Sequence, residues 1–171
     1  MYTLKIFIRI VDKISEWTGK ATMWLIMAMV FVVSYEVVFR YFFNSPTVWA
    51  YDMAIFMFGY AGLWAGAYAL KNGYHITVDI VYSQLSTRWK AILDVFTGLL
   101  GFFFLILVIV MNWEPAITAI INNQTTDSYW GPPAGHYKLM IPLSGFFFLM
   151  QGIANWFRSL YKAITNRELD T

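Results

Sequence analysis

Four stretches, at about residues 21 to 43, 48 to 70, 91 to 113 and 138 to 157, are apolar almost without interruption. A helix rises ~1.5 Å per residue and the hydrocarbon of a bilayer is ~30 Å thick, so each stretch supplies the roughly 20 residues that one crossing needs. No soluble core could hold them all, because 59% of the 171 residues are hydrophobic, 20% aromatic and only 13% charged. The predicted fold class is an all-α membrane protein with four transmembrane helices, built as a single domain over residues 1–171.

Charge sets the orientation. Lys5, Arg9, Lys13 and Lys20 precede the first span, Lys71, Arg88 and Lys90 lie between the second and third, and Arg158, Lys162 and Arg167 follow the fourth. Ten of the twelve basic residues thus share one side, opposite Arg40 and Lys138. The positive-inside rule then predicts that both termini are cytoplasmic.

Two segments flank the spans. Residues 1–20 place Ile6, Phe7, Ile10, Val11, Ile14 and Trp17 at helical spacing, with Lys5, Arg9, Asp12, Lys13, Glu16 and Lys20 opposite. This pattern predicts an amphipathic helix in the membrane interface, and the long apolar run behind it argues against a cleaved signal peptide. Residues 71–90 form a cytoplasmic connection, in which Ile76, Ile80, Val81, Leu85 and Trp89 predict a short in-plane helix and Ser86 or Thr87 can cap the third span. On the outer side, residues 114–137 carry turn formers such as Gly131-Pro132-Pro133 and read as a solvated loop.

The sharpest local feature is the corner from Phe39 to Asp52. Asn44, Ser45 and Pro46 reverse the chain, since Asn and Ser bond their own backbone and Pro cannot continue a helix. Glu36 and Arg40, four apart, share a helix face, and Asp52 comes to a similar depth on the next helix. Charges inside a membrane edge mark either a fold-locking cluster or a working site. The expected role here is to lock the first two helices together. Gly59, Gly62 and Gly66 supply small-residue packing positions, with Gly62 and Gly66 in G-x-x-x-G spacing.

Several function classes are excluded. With no cysteine there is no thiolate metal site or thiol nucleophile, and His75 and His136 fall on opposite sides of the bilayer, where they cannot share a metal or a haem. The basic residues are scattered, which leaves no nucleic-acid surface. The spans lack convergent acids, bases and nucleophiles, so no enzyme and no cofactor in this chain is expected; lipid contacts are. Two rival readings are a small proton-coupled exporter using Glu36 and the membrane anchor of a redox complex. Arg40 beside Glu36 argues against the first, and the lack of histidines in facing spans against the second.

Arg40-Tyr41-Phe42-Phe43-Asn44-Ser45-Pro46, followed by Trp49 and Asp52, resembles the corner motif of the small membrane subunit of tripartite ATP-independent periplasmic (TRAP) transporters, the DctQ-like family. The likeness continues through His75 and Asp79 in an H-x-x-x-D segment, Arg88, and Lys138 to Leu143 at the fourth span. Tyr51 departs from it, where many members carry a second acid. The resemblance implies a bacterial inner-membrane protein that braces a large elevator-type subunit during sodium-driven, binding-protein-dependent uptake of an organic anion, a carboxylate or sulfonate. It implies that the sodium sites lie on the large subunit. It also implies that Glu36, Arg40, Asn44, Pro46, Trp49, Asp52, the three glycines, His75, Asp79 and Arg88 are structural or interface residues, with Arg40 and Lys138 open to the periplasmic binding protein.

Overall fold

A computed structural model describes residues 2–74 and 86–165. They form four helices: α1, Tyr2–Phe42; α2, Ala50–Lys71; α3, Thr87–Ile121; and α4, Gly135–Thr165. All four are long and apolar enough to cross a membrane. Packing follows the order α1, α2, α4, α3, with an additional contact between α1 and α4. α1 and α3 are therefore the two edges of the assembly, and α2 and α4 its middle.

Three helices stop in the same way. Asn44, Gly73 and Asn123 each adopt positive φ just beyond α1, α2 and α3. The following amides turn back on the helix, from Ser45 to the Phe39 carbonyl, Tyr74 to Ala69 and Gln124 to Ala119. A left-handed residue in this place satisfies carbonyls that a helix end leaves open, and Asn and Gly tolerate it best. The predicted corner is thus present, with Asn44 as its pivot.

Two boundaries differ from expectation. α1 is one unbroken helix of 41 residues, ~61 Å long and about twice the hydrocarbon thickness. Residues 2–20 are therefore not a separate in-plane helix. Their inner stripe is Ile8, Val11, Ser15 and Thr18, all buried, and Ile8 and Val11 pack on Ala154, Met150 and Phe157 of α4. Ile6, Ile10, Ile14 and Trp17 stay exposed. On the other side α3 continues through Pro115 to Ile121, because Ala116 and Ala119 are buried and Gly135 of α4 lies against Ile120. The loop expected over residues 114–137 shrinks to 122–134, closed by a Thr125–Pro133 bridge. Of the in-plane helix expected within 71–90, residues 75–85, with His75 and Asp79, lie outside the described residues, whereas Lys71 ends α2 and Trp89 belongs to α3 rather than to a separate helix. Ser86 precedes α3 as foreseen but makes no side-chain capping bond.

The glycines also separate. A Cβ at Gly59 would meet the Tyr137 ring at 2.7 Å and one at Gly66 the Phe148 ring at 3.4 Å, both on α4, whereas one at Gly62 would meet nothing within 4 Å. Three and four residues from Gly59 and Gly66, Gly62 lies on the same side of α2 but borders open space in a cleft with Tyr137 and Ile141 rather than a packed ring. The packing pair is therefore Gly59 with Gly66 rather than the G-x-x-x-G pair.

Candidate functional site

At the corner, Glu36 is the central acceptor. Its Oε1 takes hydrogen bonds from Arg40 Nε, at 2.9 Å, and Arg40 Nη2. Its Oε2 takes the Thr47 amide at 3.0 Å and the Thr47 hydroxyl. One carboxylate thereby ties the end of α1 to the strand of chain entering α2. Trp49, at the first position before α2, sets its ring 5.8 Å from Tyr35, which stacks on Phe39. Pro46 sits exposed in the turn. The Arg40 side chain is half exposed, while the Glu36 side chain is largely covered.

Asp52 does not join this cluster. It is buried in the first turn of α2, and its Oδ2 has no hydrogen-bond partner among the described residues. The reason is azimuthal: four residues on, Phe56 faces His136 and Tyr137 of α4 at 5.0 and 5.4 Å, and residues i and i+4 share a helix face. Asp52 thus belongs to the α2–α4 side and Glu36 to the α1–α2 turn. If Glu36 is the corner's clasp, Glu36→Ala speeds hydrogen exchange of the Thr47 amide about tenfold, and Asp52→Ala does not. Equal protection at Thr47 in Glu36→Ala would remove that role.

Lys138 and His136, at the start of α4, are both engaged. Lys138 Nζ donates to Gln124 Oε1 at 2.9 Å, fastening the loop to α4. His136 Nδ1 pairs with the Tyr60 hydroxyl, at the edge of a cleft of about 510 Å³ that Leu25, Phe56 and Trp130 also line. Arg88 falls in the first turn of α3.

Among the described residues the most extensive polar cluster lies where the first turns of α1 meet the last turns of α4, and the sequence alone did not point to it. Gln151 of α4 is completely buried. Its Oε1 accepts from Ser15 Oγ at 2.7 Å, and its Nε2 donates to Asp12 Oδ1 and Asn155 Oδ1, each at 3.1 Å. Asn155 Nδ2 donates to the Leu70 carbonyl at 2.9 Å, bringing in α2. Arg158 donates to Asn155 Oδ1 at 3.0 Å and pairs with Asp12. Beside it Glu16 bridges Lys20, at 2.8 Å, and Lys71, at 3.0 Å. Three helices are held by side chains whose bonds are mutually satisfied, the condition under which a buried polar network rigidifies a fold. A lone glutamine in an apolar span was the available signal, since such groups turn toward protein rather than lipid.

Among the described residues no group of three His, Asp or Glu side chains converges to hold a metal ion. The polar side chains of the two clusters described above hold one segment of the chain to another.

Comparison with known proteins bears on what such an arrangement serves. The family described as "Tripartite ATP-independent periplasmic transporters, DctQ component" matches residues 29–162. The C4-dicarboxylate TRAP transporter small permease protein DctQ of Vibrio cholerae is 30% identical over 103 residues, covering 58% of this chain and 44% of that protein. The sialic acid TRAP transporter permease protein SiaT of Haemophilus influenzae is 24% identical over 92 residues, covering 54% of this chain and 14% of that protein. The matched part of the chain is thus less than half the length of either relative.

Proposed function

The chain belongs to the DctQ family of tripartite ATP-independent periplasmic transporter components, and from that premise we propose that it is the small permease subunit that braces a large, elevator-type membrane subunit. It is a transport component and not an enzyme. The observation that carries the bracing role is the use made of its polar groups: Gln151, Asp12 and Arg158 fix α4 to α1, and Glu36 fixes the end of α1 to the segment entering α2. A moving carrier must carry substrate on its own polar groups, whereas a static scaffold needs stiffness.

In this reading the chain sits in the bacterial inner membrane with both termini cytoplasmic, as its charge asymmetry favours. The large subunit holds the sodium and substrate sites, a periplasmic binding protein delivers an organic anion, and lipid covers the remaining surface. Outside, half-exposed Arg40 is open to the binding protein, whereas Lys138 is held by Gln124. The proton-coupled exporter finds no support at Glu36, whose two oxygens are both engaged.

The test is to tag the chain at its C-terminus, express it with its neighbouring genes, extract it in mild detergent and identify its partners. A stoichiometric hydrophobic partner several times larger, required for sodium-dependent uptake in proteoliposomes, is the expected result. Recovery as a self-sufficient homodimer that couples proton flow to drug export would overturn the proposal.

A further inference from the structure

On the reading just given, which assigns this end of the chain to the cytoplasmic face, we infer that the first third of α1 is a binding edge for anionic phospholipid. At 3.6 residues per turn the helix divides here into three stripes. Ile8, Val11, Ser15 and Thr18 form the buried one. Lys5, Arg9 and Lys13, at steps of four, form the second, and Ile6, Ile10, Ile14 and Trp17 the third, directly beside it. The apolar stripe is exposed, with Trp17 at 71%. Arg9 and Lys13 are exposed as well, and Lys5, Arg9 and Lys13 make no ion pair among the described residues.

Depth sets these stripes at the headgroups. α2 has 22 residues and rises ~33 Å, close to the ~30 Å of hydrocarbon, so its last residue, Lys71, marks the inner boundary. Glu16 pairs with Lys71 at 3.0 Å and lies at that height. Further along the same helix Lys13 stands ~5 Å, Arg9 ~10 Å and Lys5 ~16 Å beyond it. Headgroups occupy roughly the first 5–8 Å of that distance. Long basic side chains reach back toward the bilayer, and the field of an acidic surface extends ~8 Å further in physiological salt. The helix cannot roll away, because Asp12, Ser15, Ile8 and Val11 are fastened to α4.

Charge names the occupant. A row of cations calls for phosphates, and an apolar stripe at the same height calls for hydrocarbon; an anionic phospholipid supplies both. A zwitterionic lipid matches the apolar stripe but brings a cation of its own to Arg9 and Lys13. The corresponding end of α3 differs. Trp89 and Leu93 are exposed there too, but the basic residues of α3 are Arg88 and Lys90, with Asp94 following them, and no basic stripe runs beside the apolar one. Apolar exposure is common to both edges of the assembly, whereas the row of cations is particular to α1.

The chain has no cysteine, so Ile10→Cys or Phe103→Cys carries a fluorophore at one place only. The full chain is reconstituted into phosphatidylcholine vesicles containing a small fraction of lipid brominated high on its acyl chains, either phosphatidylglycerol or phosphatidylcholine, and quenching gives the relative affinity of the two. At position 10 the affinity for phosphatidylglycerol is expected to be about tenfold the higher, and at position 103 the two should be equal. Lys5→Gln, Arg9→Gln and Lys13→Gln together, or high salt, should abolish the preference at position 10 while the thermal midpoint stays that of the parent chain. Equal quenching by the two lipids at position 10, or a preference that survives the three substitutions, overturns the inference. So does loss of quenching by both lipids once the large subunit is co-reconstituted, which would make protein the occupant. The vesicle assay on this chain alone involves no large subunit, so its outcome and that of the co-purification are separate.

Discussion

Gln151→Leu is expected to cost about 1–3 kcal/mol of stability, because it keeps the volume of a fully buried side chain while stripping Ser15, Asp12 and Asn155 of a shared partner. For a chain of this size such a loss lowers the unfolding midpoint by ~2–12 °C, readable by tryptophan fluorescence on the purified protein in detergent. The network also makes a prediction about coupling. Removing Ser15's hydroxyl in the same chain takes away the acceptor-seeking group, so Ser15→Ala combined with Gln151→Leu should be less damaging than the sum of the two changes. Arg158→Leu, which leaves the Asp12 carboxylate without its cation, should be similarly non-additive with Gln151→Leu, with a coupling of about 0.5–3 kcal/mol. Strict additivity in both pairs, or a wild-type midpoint for Gln151→Leu, would mean that apolar packing alone holds the three helices.

Gly19→Leu should be as harmful. Gly19 is buried where α1 crosses α2, and a Cβ there would overlap the Tyr68 ring and lie 2.7 Å from the Tyr68 Cβ. The Cβ end of a side chain cannot swing aside as a chain tip can, so the helices must separate. Overpacking of this kind costs about 1–3 kcal/mol for small insertions, and the bulk of leucine puts this change at the top of that range. Gly62→Ala is the matching control: with no atom within 4 Å of the added carbon, it should leave the isolated chain within about 0.5 kcal/mol of wild type. The same midpoint assay checks both. Loss at Gly62 and tolerance at Gly19 would reverse the packing assignment of α2.

Much of this architecture is legible from the residues alone. Span number follows from apolar length against bilayer thickness, and the corner follows from Asn44-Ser45-Pro46, whose local chemistry needs no distant partner. Glu36 with Arg40 was equally accessible, being an i,i+4 pair on one helix. What escaped were relations that depend on rotation about a helix axis. A span that is apolar all round carries little azimuthal signal, so Asp52 could be placed at the right depth yet on the wrong side. The Asp12–Arg158 pair, 146 residues apart in sequence, had no local signature at all.

The sequence by itself determined that this chain crosses a membrane four times, where it turns, and which family it resembles. Those properties are set by hydrophobic length, turn chemistry and motif order. The tertiary structure alone decided which face of each helix looks inward. In α1 the polar stripe of Ser15, Thr18 and Thr22 is buried while the apolar seam of Trp17, Trp24 and Phe31 lies outside, the inverse of a soluble helix. The physical reason is the solvent: between helices in lipid there is little hydrophobic drive, so hydrogen-bonding groups seek protein partners and apolar faces are left to meet lipid or another subunit.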